Sequence, residues 1–157
     1  MHKPPPAGWP QLSPALFYRR PAEAIDWLCQ AFGFDLVLKV EGEPGEIVHA
    51  EIAYGQALVM VGTDAASGQD DPARPWKRRH ASPLSVDGRI TQSACLFVDD
   101  ADAHCERARK AGAKIIDLPT TSDYGEDYWS DRSYRAEDPE GHQWWFMQRV
   151  ATRGKPA

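Results

Sequence analysis

Cysteine is scarce in this sequence, and none of it is spaced for pairing. Cys29, Cys95 and Cys105 form an odd set with no Cys-x-x-Cys, which argues against a disulfide framework or a clustered zinc site and for reduced, partly buried thiols. Cys95 lies in an apolar, strand-like run and reads as a core thiol, a nucleophile only if a basic partner stands beside it. Long apolar runs are missing as well. No stretch approaches the roughly 20 residues needed to cross a bilayer, and the start, Met1-His2-Lys3-Pro4-Pro5-Pro6, has no apolar signal core. The expectation is a cytoplasmic protein with no membrane partner. Positive charge is in deficit, with 18 Lys and Arg against 23 Asp and Glu and a formal charge of −5. That excludes a chain-wide nucleic-acid footprint; a solvated acidic surface explains it, and a cationic ligand is the other reading. Gly-rich phosphate loops and nucleophile elbows are absent too.

What the chain does contain is an internal repeat. Leu16-Phe17-Tyr18 is followed by a turn, a helix, a glycine and an apolar strand, and Cys95-Leu96-Phe97-Val98 opens the same series again. The first helix is expected over 20–32. Pro21 suits its first turn, Glu23 complements the positive end of its dipole, Ile25, Leu28 and Phe32 share a face, and Gly33 supplies the left-handed stop. The second is expected over 99–111, capped by an aspartate, with Ala101, Cys105 and Ala108 buried and Gly112 after it. Glu106 and Lys110 are spaced for a surface pair, and His104 is expected to cap the helix or face solvent.

Strands are expected at 34–40, 47–54 and 57–62, then at 114–118, 134–137 and 143–148, with Asp138-Pro139-Glu140-Gly141 turning between the last two. Each half is then β-α-β-β-β. One helix cannot cover both faces of a four-stranded sheet, so two such modules together would enclose a concave space. The fold class is α+β: two βαβββ modules pairing into a curved mixed sheet with a central cleft and the helices outside. Residues 1–9 form an N-terminal arm, 10–63 the first module, 64–88 a linker or lid, 89–150 the second module and 151–157 a tail. The lid carries Lys77-Arg78-Arg79-His80, which reads as a solvated patch. Tyr124 to Arg132 is a long aromatic and acidic loop, placed to close over the cleft or to form a dimer contact.

Four segments resemble the glyoxalase/bleomycin-resistance/extradiol-dioxygenase (vicinal oxygen chelate) superfamily, in particular its small single-domain bacterial branch. They are Pro21 to Phe34, Val48 to Gly55, Val98 to Asp102 and, most specific, Tyr134-Arg-Ala-Glu-Asp-Pro-Glu-Gly-His-Gln-Trp-Trp-Phe146. Together they span about residues 10 to 150 as judged from the repeat. The resemblance implies the paired fold, a homodimer, a U-shaped cleft and, in metal-using members, a divalent ion held by His and Glu from the first and fourth strands of each module.

Counted onto this chain, those four positions fall on Ser13, Met60, Ser93 and Trp145. Neutral hydroxyls, a thioether and an indole do not make a hard divalent site, and their sequence neighbours are no better. No cofactor is therefore expected. A displaced divalent metal is the alternative, using His49 and Glu51, which leave one face of a strand, with His142 as the candidate third ligand. Side chains in phase with the lost positions are expected to line the cleft as ligand-binding residues: Ser13, Ala15, Phe17, Leu58, Met60, Ser93, Cys95, Phe97, Gln143, Trp145 and Met147. Leu16, Ala94, Leu96, Val98, Trp144 and Phe146 should pack under the helices. An aromatic and thioether lining suits a small planar or partly apolar organic molecule; the other account is that these rings simply fill a core. The function expected is metal-free small-molecule binding. The alternative is a lyase, isomerase or dioxygenase with a displaced metal, or with His49 and Glu51 as an acid/base pair.

Overall fold

A computed structural model describes residues 3–68 and 70–153. The chain divides into two compact units, Met1–Arg89 and Ile90–Ala157, and each repeats the same element order. The first contains β1 (Ala15–Tyr18), α1 (Pro21–Phe32), β2 (Asp35–Glu41), β3 (Ile47–Tyr54) and β4 (Ala57–Thr63), followed by two 3-10 turns at Pro75–Arg79 and Pro83–Ser85. The second contains β5 (Ala94–Phe97), α2 (Ala101–Lys110), β6 (Lys114–Asp123), β7 (Trp129–Glu137) and β8 (Gln143–Thr152). The sheets are ordered β1-β4-β3-β2 and β5-β8-β7-β6, and in both only the outer pair β1/β4 or β5/β8 is parallel. This is the α+β fold expected, with two βαβββ units.

The helices form where their punctuation puts them. Pro21 opens α1 and Gly33 ends it at φ 80°, its N–H bonding the Cys29 carbonyl. Ile25, Leu28 and Phe32 are buried against the sheet, each contributing about 1.5–3 kcal/mol of burial. In α2 the cap is Asp100, whose carboxylate accepts from the Ala103 N–H, and Glu106 reaches both Arg109 and Lys110.

Strand alternation then divides each sheet into two faces. Leu16, Val59, Val61, Ala50 and Ile52 are buried on the helix side of the first sheet, and Leu96, Val98, Trp144 and Phe146 on that of the second. The opposite phase forms rows across each open face. One row runs Leu38–Glu51–Met60–Ala15 and another Asp117–Arg135–Trp145–Cys95.

Four expectations need correction. First, β6, β7 and β8 are longer than the pattern suggests. The stretch read as a loop from Tyr124 to Arg132 is a hairpin whose connection is only residues 124–128, paired from Asp123↔Ser130 inward and tied by Arg153 to Asp123 at 2.8 Å. Second, β8 continues through Thr152 into what reads as a tail; residues 154–157, like Met1 and His2 of the arm and Gln69 of the lid, lie outside the described residues. Third, His104 neither caps nor faces solvent. It is buried and shares a 2.6 Å hydrogen bond with the Tyr134 hydroxyl while packing on the Phe146 ring. Fourth, Cys95 is not a core thiol but an exposed residue on the open face of its sheet, its sulfur 3.1 Å from that of Met147.

Candidate functional site

The open face of the first sheet carries a pocket of about 520 Å³. Its floor is β1 and β4, through Ala15, Phe17, Met60 and Gly62, and its wall includes Ile47 and His49 of β3. Its roof is the segment after β4, through Asp64, Arg74, Trp76, Lys77 and His80. The segment read as a linker or lid thus folds back on its own unit.

Three contacts hold the roof down. Asp64, at the end of β4, is fully buried; its Oδ1 accepts from the Ala66 N–H at 2.6 Å and its Oδ2 from the Ser82 N–H at 2.5 Å. The Ala65 N–H donates to the His80 carbonyl at 2.9 Å. The His80 imidazole stacks flat on Phe17, with centroids 3.7 Å apart and planes 18° from parallel. Burial, and after it the Lys77 ammonium, holds that imidazole below the ordinary histidine range, so the stack is a neutral one at neutral pH. Trp76 lies 5.5 Å from the His80 ring. Gly62 makes the floor possible: a Cβ there would sit 3.2 Å from the Phe17 ring, closer than nearly all side-chain contacts allow.

Of the basic run, Arg78 is an exposed residue paired to Asp70 at 2.7 Å, and Arg79 is exposed. Lys77 and His80 turn inward to line the pocket, which corrects the reading of the whole run as a solvated patch. Their i, i+3 spacing, one turn of a 3-10 helix, is the sequence signal that could have found them. Asp64, Arg74 and Trp76 were missed because nothing periodic surrounds them.

The remaining sequence-derived residues distribute as follows. His49 Nε2 donates to Glu51 Oε1 at 2.8 Å; His49 lines the pocket, whereas Glu51 is buried beneath it in the row with Met60. Leu58 is buried rather than open. Ser13 precedes β1, and its hydroxyl is buried with no hydrogen-bond partner among the described residues. In the second unit Ser93 is exposed. Gln143 donates to Glu137 at 3.3 Å. Trp145 lies under the Arg135 guanidinium, 4.4 Å from the ring centroid, in a shallow groove with Leu118 and Ser133. Phe97 and Trp129 flank the Arg149 guanidinium at 5.5 and 4.9 Å, and Arg149 pairs with buried Asp131. Partial desolvation, and then Asp131, pushes the Cys95 thiol above its usual range, the opposite of what a nucleophile needs.

The donor set expected of a metal-using member does not fit a divalent ion. Ser13 and Ser93 offer neutral hydroxyls, Met60 a thioether, and Trp145 an indole face already covered by a cation. Among the described residues no group of three or more His, Cys, Asp or Glu side chains is placed to hold a metal ion. Also among them, no helix is long and apolar enough to cross a membrane.

Fold and site together define a class. A sequence profile of the glyoxalase/bleomycin resistance protein/dioxygenase superfamily matches residues 11–146, and the chain belongs to that superfamily. It is similar to "Uncharacterized protein Mb0911c" of Mycobacterium bovis, 30% identical over 141 residues, which cover 90% of this chain and 84% of that one. Among solved structures it is similar to TioX from Micromonospora sp. ML1, with a TM-score of 0.63, 29% identity, and 90% of this chain and 99% of that one covered. TnmS3 from Streptomyces sp. CB03234, an antibiotic binding protein, shares the fold at a TM-score of 0.59 and 19% identity, over 88% of this chain and 93% of that one.

Proposed function

We propose that this protein binds a small planar or partly apolar organic molecule without a metal, in the manner of a sequestering protein. The observation that carries the reading is the roofed pocket on the first sheet, where Phe17, Met60, Trp76 and His80 surround space for a drug-sized ring system. The unsuitable donors at Ser13, Met60, Ser93 and Trp145 support the metal-free part, and the antibiotic-binding TnmS3 shows what the same fold can host. On the second sheet the open-face residues Cys95, Phe97, Gln143, Trp145 and Met147 offer a similar aromatic and sulfur lining.

The expected outcome is saturable quenching of tryptophan fluorescence by a planar ligand, with affinity the same before and after dialysis against EDTA. No quenching across a broad panel of planar ligands sinks the binding reading; stoichiometric metal by elemental analysis sinks the metal-free one. The second reading, an acid/base catalyst, rests on the His49–Glu51 hydrogen bond at the pocket wall. It predicts turnover of the bound molecule by the wild type that is lost in His49→Ala; a ligand recovered chemically unchanged from the wild type sinks it.

We further propose a homodimer. β2 is an edge strand exposed along its whole length, with Leu36, Val37, Leu38 and Val40 all open to solvent. An apolar edge of this kind favours pairing with another chain. Sedimentation equilibrium at micromolar concentration is expected to give twice the 17.5 kDa chain mass; a monomer there rules the dimer out.

A further inference from the structure

Among the described residues, the roof gives neither of the two cations it brings to the pocket a closed side-chain hydrogen bond. Arg74 Nε and Lys77 Nζ both lie 3.6 Å from the same oxygen, Asp71 Oδ2. That exceeds hydrogen-bond length, so each contact is a long ion pair rather than a closed hydrogen bond. Asp71 spends its other oxygen on the Ala73 N–H at 3.1 Å.

The acids around the pocket are engaged elsewhere. Asp64 accepts two backbone N–H bonds. Glu46, which lines the pocket, has its Oε2 3.4 Å from the Glu43 N–H. Glu51 is held by His49. After burial, the Lys77 ammonium is what lowers the His80 imidazole pKa, so a cation stands close beside the aromatic floor although the chain as a whole is negative.

We propose that the pocket takes a planar aromatic acid. Its ring lies against the Phe17–His80–Trp76 cluster, and its carboxylate bridges Arg74 and Lys77 in place of the long Asp71 contacts. This rests on the proposed binding function and specifies its ligand class. Arg supplies a planar fork suited to a carboxylate, and Lys a point charge on the same group. Ala15 and Met60 add apolar lining beside that cluster.

The test compares 2-naphthoate with its neutral isostere 2-naphthamide by isothermal titration calorimetry on the full chain. The naphthoate is expected to bind about tenfold tighter, as one charge-assisted hydrogen bond implies, and the gap is expected to shrink as salt rises. In the double variant Arg74→Gln, Lys77→Gln the gap should close to within about threefold, with circular dichroism confirming that the variant is folded. If both probes bind equally to the wild type, or if the double variant keeps the gap, the aromatic-acid assignment falls while the binding function stands. If neither probe binds at millimolar concentration, the pocket is not a site for planar rings, and both readings fall together.

Discussion

Asp64→Ala is expected to lower the affinity of the pocket for a planar probe by more than about tenfold while leaving the first sheet folded. The reason lies in what that carboxylate does. It sits at the last residue before the roof, is fully buried, and accepts the N–H groups of Ala66 and Ser82, eighteen residues further on. Hydrogen bonds to a charged acceptor contribute about 1.5–3 kcal/mol each, and this pair anchors both ends of the segment that carries Arg74, Trp76, Lys77 and His80. Without the carboxylate, the stack of His80 on Phe17 is the main remaining tether. Hydrogen exchange should then quicken across residues 64–85 and stay slow in α1 and β3. Asp64→Asn keeps one acceptor and should recover part of the affinity. Unchanged affinity and unchanged exchange in Asp64→Ala would show that the roof is held by something else.

The largest loss of stability is expected from Asp138→Ala. In the second unit this buried carboxylate accepts the backbone N–H groups of Glu140 and His142 and the indole N–H of Trp144, at 3.0, 3.1 and 3.1 Å. It thereby sets the turn through Pro139 and Gly141, the latter at φ 93°, and fixes the side chain of one of the largest buried residues in the protein. Alanine deprives all three donors of their acceptor at once. A buried donor deprived of its partner costs about 1–3 kcal/mol, and the three are coupled, so a total of about 3 kcal/mol or more is expected. Urea denaturation followed by far-ultraviolet circular dichroism reads it directly. A loss below about 1 kcal/mol would show that β7 and β8 hold their register without this turn.

Much of the fold is legible in the sequence because its elements carry their own punctuation. Pro21 and Gly33 bracket α1, and Asp100 and Gly112 bracket α2. The β6–β7 extension is not legible for a physical reason. Residues 120–129 are exposed, so no hydrophobic alternation marks them, and Thr, Ser, Gly and Asp resemble a loop although the backbone of 120–123 pairs. His104 misleads because its partner, Tyr134, is thirty residues away and on another element. A polar residue on a helix reads as solvated until the hydroxyl that satisfies it is seen.

The site divides in the same way. Phe17, Met60 and His49 follow from strand phase, since period-two alternation fixes which face a side chain takes. Trp76, Lys77 and His80 do not, because the segment that carries them has no period and is held by contacts through Asp64 and His80 to residues distant in sequence. Strand phase also overreaches at Leu58, which has the open-face parity and is nevertheless buried.

Gly62 bears on how this molecule can change. The phenyl group of Phe17 leans across the place where any other residue would put its first carbon, and His80 rests on that phenyl in turn. A single added methyl would press on the phenyl, which must then give by a few tenths of an ångström, and that shift passes to the imidazole stacked on it. The fit between floor and roof in this half of the protein therefore depends on one missing carbon atom.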